Sequence, residues 1–206
     1  MINNFEPIKQ IIRDHIDLSS DDTFLFCQII QRRKENPDIP KDNYVVKDYY
    51  FDSIEKLDQR KDEIIKFCEM FNARAYIHLN IRSYKDLSYV CLTTLAERLS
   101  KTEYRCNKGL FSTACGRKHS DKNKKWVVDL DFKDGNMVNL FKEKIHDCDP
   151  VGDKILATLE TKNGFHLITK PFNKHQFSEW MSEHFEDKEF PEHSIQVNNP
   201  TILFQP

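Results

Sequence analysis

Asp129 and Asp131 close the run Trp126-Val127-Val128-Asp129-Leu130-Asp131, and further along the chain stands Thr161-Lys162-Asn163-Gly164-Phe165-His166. The first run reads as an apolar strand. Strands send alternate side chains to opposite faces, so both carboxylates project on the same side. Two carboxylates on one rigid face make an oxygen pair for a hard divalent cation, Mg²⁺ or Mn²⁺. The second run is a basic, Gly-containing turn that leads to His166 at the start of another apolar strand. Its backbone N–H groups and Lys162 suit phosphate oxygens, and His166 can donate a hydrogen bond to one. Metal clamping and charge neutralisation of this kind are what phosphoryl or nucleotidyl transfer needs. The plainer alternatives are a strand end that meets solvent before Lys133-Asp134-Gly135, and a histidine satisfied within its sheet.

The elements that must position these groups are legible in the spacing. Phe24 to Ile30 and Tyr44 to Phe51 predict strands, with the Tyr and Phe alternation of the latter serving packing. The stretch from Pro37 to Asn43 reads as a loop. Asp52-Ser53-Ile54-Glu55 predicts a helix start, followed by Leu57, Ile64, Ile65, Cys68 and Phe71 at helical spacing and a stop at Asn72. Ala73 to Ile81 predicts a buried strand. Ser83 predicts the cap of a helix with Leu87, Cys91, Leu92, Leu95 and Leu99 on its apolar face. Strand and helix alternate in this half, which predicts an α/β module with helices covering a sheet.

Residues 101–125 read as a polar connector with a basic end. The carboxylate strand follows, then a short helix marked by Met137, Leu140, Phe141 and Ile145, and a turn at Asp149-Pro150-Val151-Gly152. A strand from Lys154 to Glu160, the Asn163-Gly164 hairpin signal and a strand from His166 to Thr169 come next. Asn173 with Gln176 predicts a capped helix lined by Phe177, Trp180, Met181 and Phe185. Thr201 to Gln205 reads as the last strand. The order is β-α-β-β-α-β, that of a ferredoxin-like or RNA-recognition-motif-like unit. In that unit the first and third strands are central neighbours, which would bring His166 to the two carboxylates. The fold class expected is α+β, a single domain over 1–206 with an α/β module at 1–105 and a ferredoxin-like/RRM-like catalytic unit at 106–206.

With 31 Lys and Arg against 33 Asp and Glu, net charge neither demands nor forbids a nucleic-acid partner. The six cysteines show no Cys-x-x-Cys pair, which predicts free, mostly buried thiols in a reducing compartment. No apolar run reaches the length of a membrane span, and the N-terminus lacks the pattern of a signal peptide. These features predict a cytoplasmic protein with no membrane association. Cys106, Cys115, His119, His146 and Cys148 lack the paired spacing of a zinc site, so structural zinc is not expected. The acidic run from Glu179 to Glu192 reads as a solvated face.

An apolar-Asp-x-Asp strand followed by a Thr-x-x-Gly-x-His turn, in this order and context, resembles the catalytic core of archaeo-eukaryotic primases and primase-polymerases. The resemblance spans about residues 20 to 205, with its specificity in the two short motifs. It implies that Asp129 and Asp131 bind the catalytic metal, and that Thr161, Lys162, Asn163 and Gly164 form the phosphate-binding turn. It further implies that His166 contacts the triphosphate. The implied reaction joins nucleoside triphosphates into a primer on a single-stranded DNA template, with release of pyrophosphate. A replicative helicase in a separate chain or further region is an implied partner, and a compact enzyme of this kind suits a phage or mobile element in a bacterial host.

One position departs from the pattern. Gln196 stands where a third carboxylate is expected, so either Asp187, Glu189 or Glu192 supplies that ligand, or the site is weakened, or catalysis is lost. Arg82, Arg117, Lys118, Lys124 and Lys125 are candidate nucleic-acid contacts. Two competing readings remain: a metal-dependent nuclease using Asp129, Glu160 and Lys162, and a passive or catalytically weakened nucleic-acid-binding module. The latter expects exposed aromatics rather than carboxylates on its central strands.

Overall fold

The computed structural model describes residues 1–39, 43–185 and 193–206, and of Cys106 only the backbone. In chain order these are β1 (Ile2–Asn3), α1 (Phe5–His15), β2 (Thr23–Arg32), β3 (Asn43–Phe51), α2 (Ile54–Met70), β4 (Arg74–Ile77), β5 (Arg82–Ser83) and α3 (Tyr84–Ser100). A 3-10 turn (Tyr104–Asn107), α4 (Leu110–Arg117), β6 (Trp126–Leu130), α5 (Gly135–Asp147), β7 (Ile155–Glu160), β8 (Phe165–Thr169), α6 (Lys174–His184), β9 (His193–Gln196) and β10 (Thr201–Gln205) follow. The class is mixed α+β: among the described residues, six α-helices and two antiparallel sheets.

The first sheet runs β1-β10-β4-β2-β3, with β5 paired to β2. Here the expected α/β module is corrected: every pairing is antiparallel. The reason lies in β2, which separates β3 from β4. The α2 crossover therefore joins two strands of the same direction that never pair, and the β2–β3 hairpin fills the gap. The helix-capping residue is Ser53, which accepts from the Lys56 N–H, rather than Asp52. Ser83 caps α3 as expected, accepting from the Asp86 N–H. Only Leu87 of α3 is buried, while Leu92 and Leu99 of its expected apolar face lie exposed. The connector 101–125 holds α4, whose Ala114 and Cys115 pack with Phe24, Phe26 and Leu87. The expected strand to Ile81 ends at Ile77.

The second sheet runs β7-β8-β6-β9. Its last member is β9, not the expected Thr201–Gln205 strand, which as β10 crosses into the first sheet between β1 and β4. Alternation splits the second sheet's faces. Val128, Leu130 and Leu167 pack under α5 and α6 against Phe141, Ile145, Phe177 and Met181. On the opposite face, Val127, Leu159 and Ile168 join the core formed by α1, α2 and the first sheet. Asn4, itself buried, stitches the two sheets by donating to the Glu160 and Ile202 carbonyls at 3.0 and 2.9 Å. The five described thiols, at Cys27, Cys68, Cys91, Cys115 and Cys148, are free, and all but Cys91 are buried. No described helix is long and apolar enough to cross a membrane.

Candidate active-site cleft between the two sheets

The face of the second sheet that meets the first is apolar at one end and polar at the other. In the antiparallel register Asp129 stands opposite His166 on β8 and opposite Ser194 on β9. Leu159 stands opposite His166, so Asp129, His166 and Leu159 share a face. Asp129, Asp131 and His166 line one cleft, although β6 ends at Leu130 and Asp131 lies just beyond the strand that was expected to carry both carboxylates. Lys162, Asn163 and Gln196 line the same cleft.

His166 is held from both ring nitrogens. Its Nε2 lies 3.2 Å from Asp129 Oδ1, and its Nδ1 lies 2.8 Å from the Thr201 hydroxyl. A carboxylate only accepts, so Nε2 is the nitrogen that donates towards Asp129, while Nδ1 shares a hydrogen bond with the Thr201 hydroxyl. Thr201 is fully buried and belongs to the first sheet. The histidine is thus oriented by a residue from across the sheet boundary, which no local motif announces.

The turn before His166 is built differently from its expected role. The Thr161 N–H donates to the Gly164 carbonyl and the Gly164 N–H donates to the Thr161 hydroxyl oxygen, both at 3.0 Å. These two N–H groups are therefore spent within the turn, and both residues are buried. Lys162 and Asn163 are the exposed members that face the cleft. Gly164 has a packing reason to be glycine. A Cβ there would fall 2.0 Å from the Leu130 carbonyl oxygen and 2.7 Å from the Phe132 nitrogen. The turn accordingly presses on the backbone on either side of Asp131, and that contact fixes one carboxylate relative to Lys162.

Other expected residues take different places. Arg82 is fully buried: it donates to the Cys115 carbonyl at 2.9 Å, to the Asn80 carbonyl, and to His78 Nδ1 at 2.9 Å. It therefore clamps the interior instead of reaching a phosphate. Burial pulls its pKa down to about 10. Burial, then the Arg82 charge, pushes the neighbouring His78 down to about 3. Lys125 is buried in an ion pair with Asp121 at 2.7 Å, so its charge is neutralised. Arg117, Lys118 and Lys124 are exposed, with Lys124 lining a separate hollow beside Arg13, Lys122 and Lys170. Glu160 pairs with Phe165, next to the His166–Leu159 pair, and so projects from the face opposite Asp129. The shared metal of the nuclease reading lacks its second carboxylate for that reason.

Gln196 lies opposite Val127 and its amide donates to Ser194 Oγ at 2.9 Å. Asp187, Glu189 and Glu192 lie outside the described residues. Among those described, no group of three or more His, Cys, Asp or Glu side chains is arranged to hold a metal ion. The motifs also did not reveal the far wall of the cleft, formed by Arg32, Lys34, Arg74, Tyr76 and Ile202 of the first sheet and its β2–β3 connection, with Asn199 and Pro200 beside them. Arg74 is paired with Glu35 through both ends of the guanidinium.

No family model matches the chain, and neither the curated proteins nor the solved structures contain a match to it.

Proposed function

We propose that this chain is a metal-dependent nucleotidyltransferase of the primase-polymerase type, joining nucleoside triphosphates on a single-stranded DNA template. The observation that carries the reading is the meeting of Asp129 and His166, from two distant motifs, beside Asp131 and Lys162 in one cleft. The strand order β7-β8-β6-β9, with α5 and α6 on one face, supports reading the second half as a ferredoxin-like unit, since its first and third strands are central neighbours.

The donor set fits a hard cation. Asp129 and Asp131 offer oxygen ligands in one cleft, and Mg²⁺ keeps open positions for phosphate oxygens and water when only one or two carboxylates hold it. Bound there, the cation would neutralise charge on the triphosphate. Lys162 supplies a cationic partner to phosphate oxygens; the Nε2–H of His166, which here meets Asp129, would turn to a phosphate oxygen once Asp129 holds the cation, and Thr201 holds the imidazole ready. Placing these donors in advance favours the charge that develops during transfer. Gln196 contributes a neutral amide, so the cleft carries less negative charge than a three-carboxylate site.

The test is product formation from labelled nucleoside triphosphates on single-stranded DNA with Mn²⁺ or Mg²⁺. Oligonucleotide products are expected, falling by about 100- to 1000-fold or more when Asp129 and Asp131 are both replaced by Ala in a folded protein. Cleavage of the DNA without synthesis would transfer the assignment to a nuclease, and binding without either activity would leave a passive module.

A further inference from the structure

Two hollows meet at the same pair of side chains. Arg32 and Lys34 line the carboxylate cleft, and they also line an adjoining depression bounded by Arg33, Pro37 and Asn43. Both follow from the chain: Arg32 ends β2 and Lys34 lies just beyond, where the hairpin leaves the sheet. Their charges are uncompensated, because among the described residues neither has a carboxylate partner, whereas the nearby Arg74 is neutralised by Glu35. Lys34 is exposed and Arg32 half-buried, so both heads are accessible from the cleft.

We propose that Arg32 and Lys34, where the chain leaves β2, form a binding track for the phosphodiester backbone of single-stranded nucleic acid, contacting successive phosphates. The proposal rests on the nucleotidyl-transfer reading and names the surface that takes the polynucleotide. Two features favour a polymer over a single nucleotide. The groups suited to a triphosphate, Lys162 and His166, stand on the opposite wall beside the carboxylates. Arg32 and Lys34 also line the second depression, so an extended polyanion that meets them in the cleft can follow them out of it. Backbone contacts of this type give salt-dependent, sequence-tolerant binding.

The experiment is fluorescence anisotropy of a labelled single-stranded DNA oligonucleotide, titrated with wild type, with Arg32→Ala/Lys34→Ala, and with the charge-matched control Lys101→Ala/Lys108→Ala over a range of salt. Loss of two phosphate contacts lowers the slope of log affinity against log salt by about 1.4, a loss of about 25-fold at 0.1 M salt scaled from a 1 M reference. The control is expected to retain the wild-type slope. Equal slopes for wild type and the Arg32/Lys34 variant would overturn the track, as would a loss confined to binding of a free nucleoside triphosphate. A salt-slope loss in a protein that makes no primer would keep the track and end the transfer reading. Primer synthesis with an unchanged slope would end the track alone.

Discussion

At the scale of single residues, the site depends on one histidine held in a fixed orientation. The Thr201 hydroxyl is hydrogen-bonded to Nδ1 from a fully buried position, which turns Nε2 towards Asp129 and the cleft. Thr201→Val keeps the shape and removes the hydroxyl, so a buried ring nitrogen loses its partner at a cost of about 1–3 kcal/mol. Urea unfolding should report that loss, and primer synthesis should fall with it. Thr201→Ser should recover both, because it restores the hydroxyl. Full activity in the Val variant would show that the ring is oriented by something other than Thr201. Asp129 and His166 were legible as neighbours because each sits on a strand, while Asp131 reaches the same cleft from just past the end of β6. Thr201 was not legible, since its partner is 35 residues away and in another sheet. Arg82 and Lys125 were misread for a related reason. A cation in sequence shows its charge but not the Asn80 and Cys115 carbonyls or the Asp121 carboxylate that enclose it.

At the scale of elements, the β7–β8 hairpin is a correct expectation whose packing cause was not legible. Asn163-Gly164 pointed to a hairpin, and a hairpin is there, but the signal says nothing of what the glycine packs against. Glycine is needed because the turn lies against the Leu130–Phe132 backbone. Gly164→Ala must push backbone from backbone, so it should destabilise the protein by about 1–3 kcal/mol. It should also shift Asp131 relative to Lys162, lowering nucleotide transfer by more than the stability loss accounts for. A thermal melt alongside the transfer assay reads the two effects, and wild-type behaviour in both would refute the packing account. The helical periods of α2, α5 and α6 were readable because one face of each is buried. α3 was overread: Leu92 and Leu99 keep the spacing of a core face, yet both lie exposed among the described residues. The second half holds five described strands where four were expected: β9 was missed and the closing place given to Thr201–Gln205, because apolar density alone does not say which sheet a strand joins.

At the scale of the molecule, the cleft exists because two antiparallel sheets share a core along one part of their interface and part along the rest. Val127, Leu159 and Ile168 fasten the second sheet to α1 and the first sheet, and β10 carries the chain back across the boundary. The same crossing brings Asn199, Pro200 and Thr201 to the carboxylates and sets Arg32, Lys34 and Tyr76 opposite them. None of that far wall could be read from sequence, since it depends on how the sheets meet. The account's central claim is that this cleft gathers a divalent cation and a triphosphate on Asp129 and Asp131. Electron paramagnetic resonance of Mn²⁺ titrated into the protein with a nucleoside triphosphate tests it directly. Wild type should immobilise Mn²⁺ in a nucleotide-dependent manner, and Asp129→Asn/Asp131→Asn, which keeps side-chain size and removes both charges, should lose that signal. Identical Mn²⁺ binding by the two proteins would contradict the claim.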